Sequence, residues 1–421
     1  MAGLRNPLGG RFDSGSFGGV PGASLVLTRC SSVSGCARII SMDSIDQSGD
    51  QIQYWVALNR VPRLGTVRFG RLEAFFGRLD NAWNADLGQL KSAGIEGRAA
   101  REIISARSRV SPDDEMERLR LAGVMAINWH HPDYPARLKE ISNPPPVLYY
   151  KGTLLASDER SVAVVGTRSP TTYGREAAAT LATDLARCGI TIVSGMALGI
   201  DGIAHHSALD QGARTIALMA GGLDIIYPRE HTRLFQQIQE NGAVISEIPL
   251  GIRPSSQSFP RRNRLISGIS LGTLVVEAGE HSGARWTVQH ALEQNREVFC
   301  VPGSIFSPAS RLTNRLIQEG AKLVLNHNDV LEELNLSSVA HQIEMRLAPD
   351  LPDLATDDEE KKLLTHLENE PLHIDEIRRR AGLPIAQVSG LLTMLEIKRL
   401  VKQVGCMHYV MIREATPIYG N

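Results

Sequence analysis

The 421 residues are 43% hydrophobic and 22% charged, an ordinary globular composition with room for two to four domains. A net charge of −1 excludes a global electrostatic footprint for nucleic acid, so a polyanion site has to be a local patch. No apolar run reaches the roughly 18 residues of a membrane span, and five scattered cysteines without a CxxC pair point to a reducing cytoplasm and leave no zinc site.

Residues 1–50 are rich in Gly and Ser, lack periodicity, and read as a disordered tail with Met42 as a plausible true start. Residues 51–150 predict a compact helical unit. Trp55, Leu58, Val61 and Leu64 recur at helical spacing, as do Val67, Leu72, Phe75 and Phe76 on a second helix. LKSAGIEGRAAREII, from Leu90, reads as helix, Gly turn, helix. Such units fit a SAM-like or helix-hairpin-helix module, which either grips a DNA backbone or packs against a protein. The Pro-rich, partly extended stretch from Trp129 reads as the connector into the next domain.

Residues 151–338 change pattern. Strands are predicted from Val162, Ile190, Thr215, Ala243, Thr273, Glu297 and Lys322, with amphipathic stretches near 175–188, 200–212, 230–241, 261–270, 283–295 and 311–319. Apolar strands alternating with helices predict an α/β fold, a Rossmann-like, doubly wound and mostly parallel sheet that takes its ligand at the strands' carboxyl ends. Residues 339–357 read as a linker. Residues 358–415 run helix, helix, turn, helix, and a hairpin turning at Gly405, the winged-helix order. From 357 to 413 nine Lys/Arg meet nine Asp/Glu, a balance that argues against strong duplex binding.

Five constellations carry chemistry, four of them at strand ends. VAVVGTR, from Val162, closes on Gly166, Thr167 and Arg168: a turn, helix N–H groups to face a phosphate, and a cation, or else a plain strand-to-helix turn. Ser194 and Gly195 end the next strand. Asp201 and His205 follow four apart on one helix face, as a bonded pair that fixes neighbouring loops or as an acid–base or metal pair. Gly221 and Gly222 lead to Tyr227-Pro228, a wall or simple loop packing. SFPRRNRLISGIS, from Ser258, gathers Arg261, Arg262, Asn263 and Arg264 at a helix start. Cations there oppose the macrodipole, so a bound polyanion explains them better than helix stability does; Phe259 beside them stacks a base or anchors the core. Glu277 bonds a hydroxyl or caps a helix, and Ser282 and Gly283 open another candidate cradle. No Ser-His-Asp order, HExxH or paired catalytic carboxylates appear, so no catalytic, metal or cofactor residues are assigned.

In their order, VAVVGTR, SGMALGIDGIAHHSAL, AGGLDIIYP, SEIP, FPRRNRLISGIS, VVEAGEHSG and EVFCVPG resemble the DNA-processing protein A (DprA/Smf) family over about residues 55–415. The resemblance implies a single-stranded DNA-binding protein that protects incoming DNA and loads the RecA recombinase in natural transformation, and that forms a homodimer through its core. By motif, it implies that Gly166, Thr167 and Arg168 hold phosphate, that Ser194 and Gly195 line the pocket, and that Arg261 to Arg264 hold the strand. Arg285 and Trp286 in SGARWTV, and Leu312 where the family has Gly, depart from its pattern and weaken the cradle at Ser282 and Gly283. A nucleotide-processing alternative, resembling phosphoribohydrolases of related fold, keeps Gly272, Thr273 and Glu277 but lacks their paired glycines.

Overall fold

A computed structural model describes residues 51–337, 358–367, 372–397, 400–403 and 407–411. The predicted tail, the linker and the turn at Gly405 lie outside the described residues.

Nine strands form one sheet: β1 (Met125–Asn128), β2 (Val147–Gly152), β3 (Ser161–Val165), β4 (Thr191–Gly195), β5 (Thr215–Leu218), β6 (Gly242–Ser246), β7 (Gly272–Val275), β8 (Glu297–Cys300) and β9 (Lys322–Leu323), in the order β1-β2-β6-β5-β4-β3-β7-β8-β9. From β6 to β9 all neighbours are parallel, and the seven predicted strands are these seven. β3 to β6 run outward on one side and β7 to β9 on the other, so the topological switch lies between β3 and β7.

β1 and β2 add two strands to a region read as helical with a partly extended connector. They pair antiparallel with each other, and β2 pairs antiparallel with β6, Tyr149 opposite Ser246, so the Pro-rich connector carries a sheet strand. The helical unit also has no separate core. Trp55, Leu58, Phe69, Leu72 and Ile103 share one buried cluster with Tyr149 of β2, Ala217 of β5 and Val244 of β6. Val61 and Leu64 join it from the turn after the helix Ile52–Asn59, while Val67 and Phe75 face solvent. The Gly turn is present: Gly94, at φ +76°, joins helices Leu87–Ser92 and Gly97–Ala106.

Side-chain alternation covers both sheet faces. Ala163, Val165, Val193, Ile216 and Val275 pack on one side with Leu265, Ile266 and Ile269 of the helix Ser258–Ile269 and Val288 of Ala284–Glu293. Val162, Val164, Ile192 and Leu274 pack on the other with helices Thr172–Arg187 and Ile200–Asp210. Burying strands on both faces stabilises by about 25 cal/mol per Å² of apolar surface removed from water, which makes the central sheet a rigid frame for its loops. Cys188 and Cys300 are buried core residues.

The C-terminal unit has its own core of Leu363, Ile374, Ile377, Val388, Leu392, Leu395 and Val401. Helices Asp358–Leu364, Ile374–Ala381 and Ile385–Ile397 pack with the antiparallel strands β10 (Leu372–His373), β12 (His408–Met411) and β11 (Val401–Gln403). The middle helix stops as its sequence predicts, on Gly382 in the left-handed region at φ +67° with Pro384 beyond. This is a winged helix with a third strand that the sequence pattern did not reveal.

Candidate functional site

Loops at the carboxyl ends of β3, β4 and β5 enclose an open cleft of about 50 Å³. Arg168 follows β3; Met196, Ala197 and Leu198 follow β4; Met219 and Ala220 follow β5. Tyr227, Pro228, Pro254, Phe259 and Arg262 complete the wall. The cleft therefore sits to one side of the β3–β7 switch.

That switch is closed by Glu277. Its backbone carbonyl accepts Thr167 N at 2.7 Å, and its carboxylate accepts Thr171 N at 2.8 Å and Thr171 Oγ1 at 2.6 Å. Thr171 in turn caps the helix Thr172–Arg187 through Gly174 N. Of the helix N–H groups expected to face a phosphate, that of Gly174 is committed to Thr171 Oγ1, and the Glu277 carboxylate stands against this helix start. Gly166 is required for packing, since a Cβ there would lie 2.6 Å from Ile200 and 2.8 Å from the Glu277 carbonyl. Of this first loop only Arg168 reaches the cleft. It is exposed, with its guanidinium 5.4 Å from the Phe259 ring centroid, and Phe259 lies 5.7 Å from Tyr227.

Ser194 and Gly195 lie beneath the cleft and do not line it. Ser194 is fully buried and donates to Val164 O at 2.6 Å. A Cβ on Gly195 would lie 2.6 Å from Asp201 Oδ2 and 2.7 Å from Arg262 Nη2. The glycine thus leaves room for two buried groups of opposite charge, the Asp201 carboxylate and the Arg262 guanidinium. Arg262, 5% exposed, donates from Nη1 to Leu218 O and from Nε to Asn263 Oδ1 at 3.3 Å. Burial pushes the Asp201 carboxyl up to about 6 and the Arg262 guanidinium down to about 10, each opposed by the other's charge.

Asp201 and His205 are not bonded to each other, which corrects the expected pair. Asp201 accepts Ala197 N at 3.3 Å. His205 Nδ1 lies 2.6 Å from Thr215 Oγ1, whose hydroxyl donates to Ile192 O. Burial takes the imidazole down to about 3, so it stays neutral and donates from Nδ1. Both residues support the cleft from below.

The arginine helix begins at Ser258, a turn earlier than its sequence predicts. Arg261, Arg262, Asn263 and Arg264 therefore occupy its second turn, where the macrodipole argument for a bound anion is weaker. Helical rotation sends them to different surroundings. Arg262 lines the cleft. Arg261 is 60% exposed and lies on the buried Glu247, with Nε 3.1 Å from Oε1. Asn263 reaches Gly283 O at 3.5 Å. Arg264 turns inward: it is buried, holds Glu247 Oε2 at 2.5 Å, and has Nε and Nη1 buried without a partner. Burial lowers its proton affinity, and no part of it reaches the cleft.

The cradle at Ser282 and Gly283 also stands outside the cleft. Ser282 Oγ accepts Ala284 N at 3.3 Å, and Gly283 is exposed. Asn314 is spent on the neighbouring loop, accepting from Gly303 N and donating to its carbonyl. The wall residues Met196, Leu198, Met219 and Ala220 were not singled out by sequence. Their one signal is position, immediately after an apolar strand. Among the described residues no cluster of metal ligands occurs and no helix is long and apolar enough to cross a membrane.

Known proteins resemble this chain in sequence and fold. The family model for DNA recombination-mediator protein A matches residues 125–335, and that for the DprA winged helix domain matches 347–405. Protein Smf of Synechocystis is 36% identical over 390 residues, covering 85% of this chain and 98% of its own. DNA processing protein DprA of Bacillus subtilis is 44% identical over 216 residues, 51% of this chain and 73% of its own. The X-ray structure of DprA from Streptococcus pneumoniae has a TM-score of 0.60 at 32% identity, over 67% of this chain and 97% of that one. The matches run through sheet, cleft and winged helix alike, and the chain belongs to the DNA-processing protein A (DprA/Smf) family.

Proposed function

We propose that this chain binds single-stranded DNA along the cleft above β3 to β5 and passes it to a RecA recombinase in natural transformation, acting in the cytoplasm as a homodimer. One observation carries the reading: Arg168 and Arg262 converge on a cleft beside the Tyr227–Phe259 ring pair. Cations hold phosphates, and aromatic rings stack bases without regard to sequence. Arg168, Arg261 and Arg262 are the strand contacts in this reading; Gly166, Thr167, Ser194, Gly195, Asp201, His205, Glu277 and Arg264 support them. Membership of the family supports the recombinase and the dimer.

The protein acts by binding rather than by turnover. The residues shared with phosphoribohydrolases are engaged in the fold: Thr273 is buried inside β7, a Cβ on Gly272 would lie 2.6 Å from Phe299, and both carboxylate oxygens of Glu277 hold Thr171. Turnover of a nucleoside monophosphate by the purified protein would overturn this. The winged helix fits an interaction or regulatory role. Two of its three clustered arginines, Arg379 and Arg380, pair with Glu376. The exposed side of the helix Ile385–Ile397 presents Ile385, Ser389, Gly390, Thr393, Met394 and Glu396, with no cation among its described side chains.

Affinity for a poly-dT oligonucleotide, titrated with salt, tests the proposal. Three arginine–phosphate contacts give a log–log slope of roughly −2 for a single strand. A flat response sinks the reading. A chain ending at residue 355 that binds equally well separates the winged helix from the strand site.

A further inference from the structure

The segment after β6 carries a carboxylate that the strand-binding reading leaves unused. Glu247 is buried and touches two arginines of the arginine helix: Oε1 meets Arg261 Nε at 3.1 Å, while Oε2 meets Arg261 Nη2 at 3.2 Å and Arg264 Nη2 at 2.5 Å. A carboxylate gripping a guanidinium with both oxygens has the geometry with which a phosphate would grip it.

The two partners differ in freedom. Glu247 is fixed from several sides. Its backbone carbonyl accepts Asn59 Nδ2 at 3.2 Å, and that amide also donates to Tyr149 Oη at 3.1 Å. Three residues on, Arg60 donates to Leu250 O at 3.0 Å and is itself paired with Glu115. Arg264 is locked inside. Arg261 is 60% exposed on a flexible stem, so it is the member of the cluster that can leave at little cost.

Resting on the strand-binding reading, we infer that Glu247 is an internal phosphate surrogate. It holds Arg261 beside the cleft in the free protein and yields it to a strand phosphate on binding. Glu247 is a positioning residue: it sets the conformation from which Arg261 is recruited and tempers affinity by the strength of one half-exposed ion pair.

Glu247→Gln alone leaves the buried Arg264 charge uncompensated, so the informative variant is Glu247→Gln with Arg264→Met, which removes both charges and keeps the volume. Its poly-dT affinity at low salt rises roughly two- to fivefold, the worth of a half-exposed pair. The gain disappears when Arg261→Ala is added, and Arg261→Ala lowers the salt slope by about 0.7 in either background. Unchanged or weaker binding by the charge-neutral variant overturns the inference, as does a gain that survives Arg261→Ala.

The Arg261 Nε–H resonance keeps the two readings apart. It is slow to exchange in the free wild-type protein and fast in the charge-neutral variant, whatever the ligand. Wild-type protein that fails to bind poly-dT sinks the strand reading. Inorganic pyrophosphate then serves as the competing anion, and an Arg261 signal that does not shift on its addition overturns the surrogate role.

Discussion

Two rims at the carboxyl edge of the same sheet look alike as sequence. Each has a glycine or serine after a strand, a helix start and an acidic residue. At Gly195 the acid and a buried arginine face each other under an open cleft, with Arg168 and two aromatic rings above. At Glu277 to Gly283 the groups that the sequence singles out are already engaged: Glu277 on Thr171, Ser282 on Ala284 N, and Asn314 on Gly303. A strand end becomes a ligand site when it leaves donors and charge uncommitted. A glycine alone does not tell the two cases apart.

The sharpest break of this comparison is Gly195→Ala. The added methyl meets Asp201 Oδ2 and Arg262 Nη2 at well under contact distance, and because both side chains are buried one of them has to shift. Overpacking of this kind costs about 1–3 kcal/mol of stability. Displacing Arg262 is expected to reduce poly-dT affinity by more than about tenfold, since the remaining phosphate contacts lose their shared register. Thermal unfolding and an oligonucleotide titration on one preparation measure both. Wild-type affinity in the alanine variant would remove Arg262 from the site.

Next in size is a contrast between two arginines. Arg168→Ala is expected to lower affinity about tenfold at low salt and reduce the salt slope by about 0.7, with stability unchanged within about 0.5 kcal/mol. Arg264→Ala reverses the pattern. It breaks a buried pair, costing about 3 kcal/mol, while variant protein that remains folded binds with an unchanged salt slope. If Arg264→Ala lowers the slope and leaves stability intact, the inward placement of that side chain is wrong.

These arginines also mark how far sequence reasoning reaches. The seven parallel strands were legible because short apolar runs alternate with amphipathic stretches, and the winged helix because Gly382 and Pro384 punctuate it. β1 and β2 were not. MAIN is too short to show alternation, and VLYYKG follows three prolines that read as connector. Pro260 is the third residue of the arginine helix, where it lacks only an N–H that has no partner in the helix. Above all, RRNR shows that charge is concentrated without showing where each charge points. At 100° per residue, neighbouring arginines go to cleft, rim and core. Their partners, Leu218 O of β5 and Glu247 just after β6, come from elsewhere in the chain.

A gentler test uses pH. Asp201, held at about 6 by burial, gains a proton as pH falls from 7 to 5. The negative charge beside Arg262 and Arg168 is lost, and strand affinity is expected to rise about threefold. The folding sign is opposite to that of a salt-bridged carboxylate. The folded pKa lies above the unfolded 3.8, so the native state holds the extra proton between the two values, and stability falls as pH rises from about 4 to 6. His205 stays neutral throughout. Asp201→Asn is expected to flatten the affinity profile, and a profile that keeps its slope in this variant assigns the titration elsewhere.

The smallest expected effect bears most directly on the comparison. Gly283 has φ −62°, and a Cβ there meets nothing within 4 Å. Ala at this helix entry keeps the backbone unstrained and narrows the unfolded ensemble, so Gly283→Ala leaves stability unchanged or raises it by up to about 1 kcal/mol. If the second rim is structural, poly-dT affinity stays within about twofold of wild type. A tenfold loss with stability intact would mean that the backbone at Gly283, reached by Asn263 from the arginine helix, lies under the strand. The bound DNA would then extend from the cleft across the switch point to the loop after β7, and the two rims would be one continuous site.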